Sequence, residues 1–210
     1  VDGLEGAVGT RQLPPMLRSI DVIDEHCATL LARSPFAVLG FDDARGERRA
    51  APVGGTCGFA TPIGTDRLRL PVPSNAAAGS PVSTMFLIPG WPEALRINGH
   101  VDGDDPSVLV IEEAFVHCGK AVLRSKLWGE PGPRAAPAPT AADGGPLDAE
   151  ARAFLAASPF VVLASQDGSG AADASPKGDP AGFIEILDDT TIAMPDRRGN
   201  RRTDTFHNLI

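Results

Sequence analysis

The sequence predicts a mainly β fold with flanking helices, laid out as a small barrel that occurs twice along the chain. Three observations predict it. Short apolar runs alternate with turn residues, a helix-periodic segment precedes each set of runs, and the whole pattern recurs at one fixed spacing.

The repeat sets the frame. The segment from Ala32 to Pro71 aligns without a gap on Ala156 to Pro195, an offset of 124, with 14 of 40 positions identical. Ser-Pro-Phe, Gly54 on Gly178 and Gly58-Phe59 on Gly182-Phe183 are among the matches. Such self-similarity marks a duplicated unit. Residues 129–146, rich in Pro, Ala and Gly, cannot pack a core and read as a linker. The expected organisation is a first repeat at 17–128, a linker at 129–146, and a second repeat at 147–210 that stops before the last three strands of the first.

Each repeat opens on a helix. In the first, Ser19 to Arg33 carries Ile20, Ile23, Cys27, Leu30 and Leu31 at helical spacing; in the second, the helix is Leu147 to Ala157. Strands follow at 36–41, 48–53, 58–63 and 67–72, with Asp-Asp-Ala-Arg-Gly and Gly-Thr-Asp as turns. The first repeat continues with strands at 82–90, 93–102 and 107–119 and a short helix at 120–128. About seven strands are enough to close a barrel.

Composition narrows the function. With 19 Lys+Arg against 27 Asp+Glu the net charge is −8, so a broad nucleic-acid surface is excluded. Three cysteines, Cys27, Cys57 and Cys118, form no CxxC pair and read as reduced, mostly buried thiols of a cytoplasmic protein. No apolar run reaches membrane-span length, and the first residues lack a secretory pattern. His26, His100, His117 and His207 show no ligand spacing, so no metal is expected. No glycine-rich dinucleotide fingerprint follows a strand. His117 and Cys118 look like a nucleophile pair, but neighbours on a strand face opposite ways.

One stretch stands out in this acidic chain. Pro195 to Thr205 holds Arg197, Arg198, Arg201 and Arg202. Arginine forks grip phosphate through charge-assisted hydrogen bonds, so a small phosphorylated anion is one reading. A solvated turn paired with Asp196 and Asp204 is the other. In the first repeat the corresponding stretch reads Asn75-Ala76-Ala77, without an arginine, and Val53 stands where the second has Lys177.

Ser175-Pro-Lys-Gly-Asp-Pro180, Gly182-Phe183 and Pro195-Asp-Arg-Arg-Gly-Asn-Arg-Arg-Thr-Asp204 closely resemble the pyridoxamine 5'-phosphate oxidase-related, FMN-binding family of split β-barrel proteins. The first repeat resembles the family's other half at Met85 to Gly90, Leu95 to His100 and Phe115 to Trp128. The resemblance implies FMN as cofactor and a split β-barrel fold with two repeats per chain. It implies cofactor-binding roles for Ser175, Lys177, Arg197, Asn200, Arg201 and Arg202, and for Lys120 and Arg124 from across a two-barrel interface. Lys177 reads alternatively as a solvated strand residue, and Arg197 as a partner of Asp196 or Asp204. Arg198 stands where the family has proline. The implied activity is an FMN-dependent oxidoreductase acting on a small molecule, with a flavin carrier or sensor, or a haem-binding relative, as alternatives. No catalytic acid or base declares itself. The two repeats are expected to form a pseudo-dimer, with a homodimer open.

Overall fold

The structure is a computed structural model and describes residues 19–130, 145–197, 199 and 204–209. Strands β1 (Phe36–Asp42), β2 (Arg48–Gly54), β3 (Thr61–Ile63), β4 (Arg67–Arg69), β5 (Pro81–Leu87), β6 (Ala94–Val101) and β7 (Val108–His117) form one antiparallel sheet in the order β2-β1-β5-β6-β7-β4-β3. Side chains of a strand alternate between its two faces. One face therefore gathers Ala37, Leu39 and Phe41 of β1, Leu68 of β4, Val82 and Phe86 of β5, Leu95 and Ile97 of β6, and Leu109 and Ile111 of β7 into the main core.

Helix α1 (Glu25–Arg33) covers this core with Cys27 and Leu31. It is shorter than its periodicity predicts. Ile20 exchanges backbone hydrogen bonds with Ala114 of β7, at 2.9 and 2.7 Å, which holds the preceding chain extended. The helix starts where Asp24 Oδ1 accepts from the Cys27 amide at 2.8 Å, satisfying one of the donors every helix leaves open at its first turn. This hydrogen bond holds the Asp24 carboxyl below its usual range. The cysteines are all free, but the reading of them as mostly buried is corrected: Cys27 is buried, Cys118 half-buried and Cys57 exposed.

The sheet's other face is not left to water. Strands β5 and β6 are buried almost throughout, which for an antiparallel strand requires cover on both sides. That cover is helix α2 (Lys120–Ser125) and a hairpin of β8 (Phe160–Gln166) and β9 (Ala172–Gly178). Met85, Leu87, Ala94, Val122 and Ala174 form a second core there, with Phe36, Phe160 and Val162 packed against it. The remaining elements are helix α3 (Ala149–Ala157), the short strands β10 (Glu185–Ile186) and β11 (Ile192–Ala193), and helix α4 (Asp204–Asn208).

The elements on either side of residues 131–144, which lie outside the described residues as does most of the expected linker, match at the sequence offset. Helices α1 and α3 occupy equivalent residues, capped by Asp24 and Asp148. The β1–β2 register pairs Phe36 with Gly54 and Asp42 with Arg48, and the β8–β9 register pairs Phe160 with Gly178 and Gln166 with Ala172. Asp43 and Asp167 close the two hairpin turns alike, each accepting from amides two and four residues on. The hairpins meet face to face, β1 against β8 and β9 and β2 against β8. Between them the equivalent residues Gly40 and Ala164 come so near that a Cβ on Gly40 would lie 2.4 Å from the Ala164 Cβ. They part company after β11. The first unit runs through a turn at residues 73–80 directly into β5, whereas the second enters α4.

Candidate functional site

Strand β9 builds the centre of the site. Asp173, Ser175 and Lys177 alternate onto one of its faces, opposite Ala174. The equivalent residues of β2 are Arg49, Ala51 and Val53, and the last two pack against the main core. The same backbone thus turns Ala51 and Val53 toward the main core in one hairpin and Ser175 and Lys177 toward α4 in the other.

Helix α4 lies over this polar face. Thr205 Oγ1 donates to Asp173 Oδ2 at 3.1 Å, and Asn208 Nδ2 donates to Ser165 Oγ at 3.0 Å. The ring of Phe206 sits 5.6 Å from Lys177 Nζ, a cation–π distance. Ser175 Oγ donates to Asp173 Oδ2 at 2.7 Å, so Ser175 faces inward to the acid.

Helix α2 packs on the opposite face of β9, the one that carries Ala174 and Gly178. It comes so near β9 that Gly178 has room for no side chain: a Cβ there would stand 2.3 Å from the Ala121 carbonyl oxygen. Arg124 Nε donates to the Gly178 carbonyl at 3.0 Å, one residue beyond Lys177. Lys120 Nζ lies 3.5 Å from the carbonyl of Gly199, which falls within the arginine-rich stretch of the sequence. Lys120 and Arg124 thus sit at the end of β9 on the side of α2, whereas Lys177 lies on the α4 face beside Phe206. Among the described residues neither Lys120 nor Lys177 has a carboxylate at ion-pair distance, despite the acid excess of the chain.

Arg197 is differently placed. Its Nε donates to Asp179 Oδ2 at 2.6 Å, a partner other than the Asp196 or Asp204 that the sequence offered. Arg198, Asn200, Arg201 and Arg202 lie outside the described residues. Trp128 is partly exposed and its Nε1 donates to the Trp91 carbonyl at 2.8 Å, a packing role next to α2.

Sequence reasoning missed Arg96. Its guanidinium is only 1% exposed, yet it stands on the outward face of β6 beside Asn98, stacked 4.2 Å from the Phe115 ring. One terminal nitrogen contacts Asp173 Oδ1 and the other Asp204 Oδ2 at 2.7 Å, with Glu113 at 4.0 Å. The signal was present: an arginine in Leu-Arg-Ile-Asn-Gly, on the strand face opposite Leu95 and Ile97, with no purpose in a solvated edge. Its partners, distant in sequence, could not be named from it.

A family model described as Pyridoxamine 5'-phosphate oxidase matches residues 147–210. That segment belongs to a pyridoxamine 5'-phosphate oxidase-related family. The match contains β8, β9, α4 and the arginine-rich stretch, and the large antiparallel sheet with few helices is compatible with the split barrel of pyridoxamine 5'-phosphate oxidases. No curated protein and no solved structure matches the chain. Among the described residues no helix is long and apolar enough to cross a membrane.

Proposed function

We propose that the chain is an FMN-binding flavoprotein, an FMN-dependent oxidoreductase acting on a small molecule, with its site between two covalently linked split-barrel repeats. The first repeat is 17–128 and the second 147–210, arranged as a pseudo-dimer. The matched hairpin registers, helix bounds and turn hydrogen bonds at the sequence offset support the duplication.

The observation that carries the reading is that Lys177, on the polar face of β9 beside Phe206, belongs to the segment matched by a pyridoxamine 5'-phosphate oxidase model, with Lys120 and Arg124 of α2 at the Gly199 and Gly178 carbonyls. These residues fit a phosphorylated cofactor. Among the described residues the Lys120 and Lys177 ammonium groups have no carboxylate at ion-pair distance, and a dianionic phosphate would balance their charge. The acid pairing of Arg197 leaves it a brace for the chain at Asp179. In this reading Arg201 and Arg202 grip the phosphate, Asn200 and Ser175 line the site, Lys177 stands between phosphate and ring, and Lys120 and Arg124 close it from the first repeat. FMN, when bound, supplies the two-electron chemistry at its isoalloxazine ring. The chain's own contribution is to bind, orient and exclude water: α2 and α4 cover β9, and Phe206 presents an apolar ring beside Lys177.

Titration of the protein with FMN, followed by quenching of flavin fluorescence, tests the reading. Replacing Arg201 and Arg202 with alanine is expected to weaken binding by roughly 3 kcal/mol or more, the loss of two charge-assisted contacts. A wild-type chain that leaves FMN fluorescence unchanged at high micromolar protein refutes the flavin assignment. Bleaching of bound flavin by a nicotinamide reductant, with reoxidation by a small-molecule acceptor, is the outcome expected of an oxidoreductase rather than a carrier.

A further inference from the structure

The cationic site and the buried arginine are linked. Arg96 belongs to the first unit's β6, but the carboxylates it holds, Asp173 and Asp204, belong to the second unit's β9 and α4. Asp173 lies on the same face of β9 as Lys177, and Asp204 lies two residues before Phe206. We propose that Arg96 is a positioning residue for the anion site: by holding Asp173 and Asp204 together it sets the strand that carries Lys177 against the helix that carries Phe206.

The chemistry of the cluster explains why this role falls to arginine. A guanidinium presents a rigid planar fork of donors, so one group bonds two carboxylates in fixed directions, where an ammonium would act as a point charge. Arg96 and the Asp173 side chain are almost wholly buried, at 1% and 3% exposure, and screening by water and salt is weak there. Phe115 covers the guanidinium face. Thr205 and Ser175 donate to the second oxygen of Asp173, so α4 and β9 share one acid. Asn98 Nδ2 in turn donates to Glu113 Oε2 at 2.8 Å, fixing the third acid near the cluster. The site is thereby assembled only where the first unit's sheet meets the second unit's hairpin. The identification of the ligand rests on the flavin reading; the clamp itself does not.

The test uses the whole chain with Arg96→Met, Arg96→Lys and Asp204→Asn. Asp204→Asn keeps the Arg96–Asp173 pair and removes the charge only from the α4 end of the clamp, so it serves even where Arg96→Met fails to fold. Hydrogen exchange of peptides covering 204–209 is expected to accelerate at least tenfold in Asp204→Asn, with exchange in β5 and β6 unchanged. FMN affinity is expected to fall at least thirtyfold in Arg96→Met and to recover only in part in Arg96→Lys. A purely structural arginine would give additive losses with Lys177→Met; positioning through Lys177 requires Arg96→Met to cost less than threefold in the Lys177→Met background. Unchanged exchange at 204–209 in Asp204→Asn overturns the proposal whatever FMN does. Additive losses in the Arg96–Lys177 cycle overturn it as well. A wild type that ignores FMN refutes the flavin reading alone, and the exchange result then decides the clamp.

Discussion

The contact between Gly40 and Ala164 is the sharpest test of how the two hairpins meet. An ideal Cβ on Gly40 falls 2.4 Å from the Ala164 Cβ and 3.5 Å from its Cα. Carbon atoms rest at roughly 3.5–4.0 Å, so Gly40→Ala creates an overlap of about 1.1 Å or more. Neither methyl can rotate away, because each is fixed to a strand backbone. Strands β1 and β8 must separate, and the second core behind them, Met85, Ala174, Phe160 and Val162, must loosen. Overpacking of this kind costs about 1–3 kcal/mol. The compensating exchange, Gly40→Ala with Ala164→Gly, places one methyl on the opposite strand and removes the overlap. It moves the strand glycine, with its penalty of about 0.5–1 kcal/mol, from β1 to β8, so the double variant is expected close to wild type. Urea unfolding of the wild type, both single variants and the double variant measures this directly. The expected coupling is favourable by about 1–2 kcal/mol. A Gly40→Ala variant within about 0.5 kcal/mol of wild type, or strict additivity in the double variant, would refute the face-to-face docking.

Three further outcomes follow from the structure. Gly178→Ala places a methyl 2.3 Å from the Ala121 carbonyl, so α2 must leave β9; stability is expected to fall by about 1–3 kcal/mol, and FMN affinity to fall with it, in parallel urea and fluorescence titrations. Burial pushes the Cys27 thiol from its ordinary 9.0 up to about 11, so the stability it supports is present below pH 9 and lost as pH rises toward 11. Urea midpoints across that window should fall more steeply in the wild type than in Cys27→Ala. At neutral pH a thiol reagent should modify exposed Cys57 first and Cys27 only on unfolding.

Much of the local structure was legible because its causes are local. Asp43 stands in the Asp-Asp-Ala-Arg-Gly turn and accepts from amides within four residues, so that turn shows in its residue types, whereas the Asp24 cap was passed over because helical periodicity runs on to Ile20. Alternating apolar residues marked β1, β2 and their counterparts, and the offset of 124 anticipated equal registers in the two hairpins. The first helix was over-extended for a matching reason: Ile20 fits its periodicity, but a sheet partner at Ala114, far along the chain, takes it instead.

The sequence by itself determined the hairpins, the likeness of its two segments at an offset of 124 and the cluster of arginines, all written in contacts within a few residues or in likeness between segments. The tertiary structure alone decided which sheet face is covered, that Arg124 and Lys120 come to Gly178 and Gly199, and that Arg96 meets Asp173 and Asp204, 77 and 108 residues away. The physical reason is that a charge's partner depends on how two surfaces dock. That docking is set by the summed shape and burial of many side chains, down to a glycine that leaves room for one methyl group.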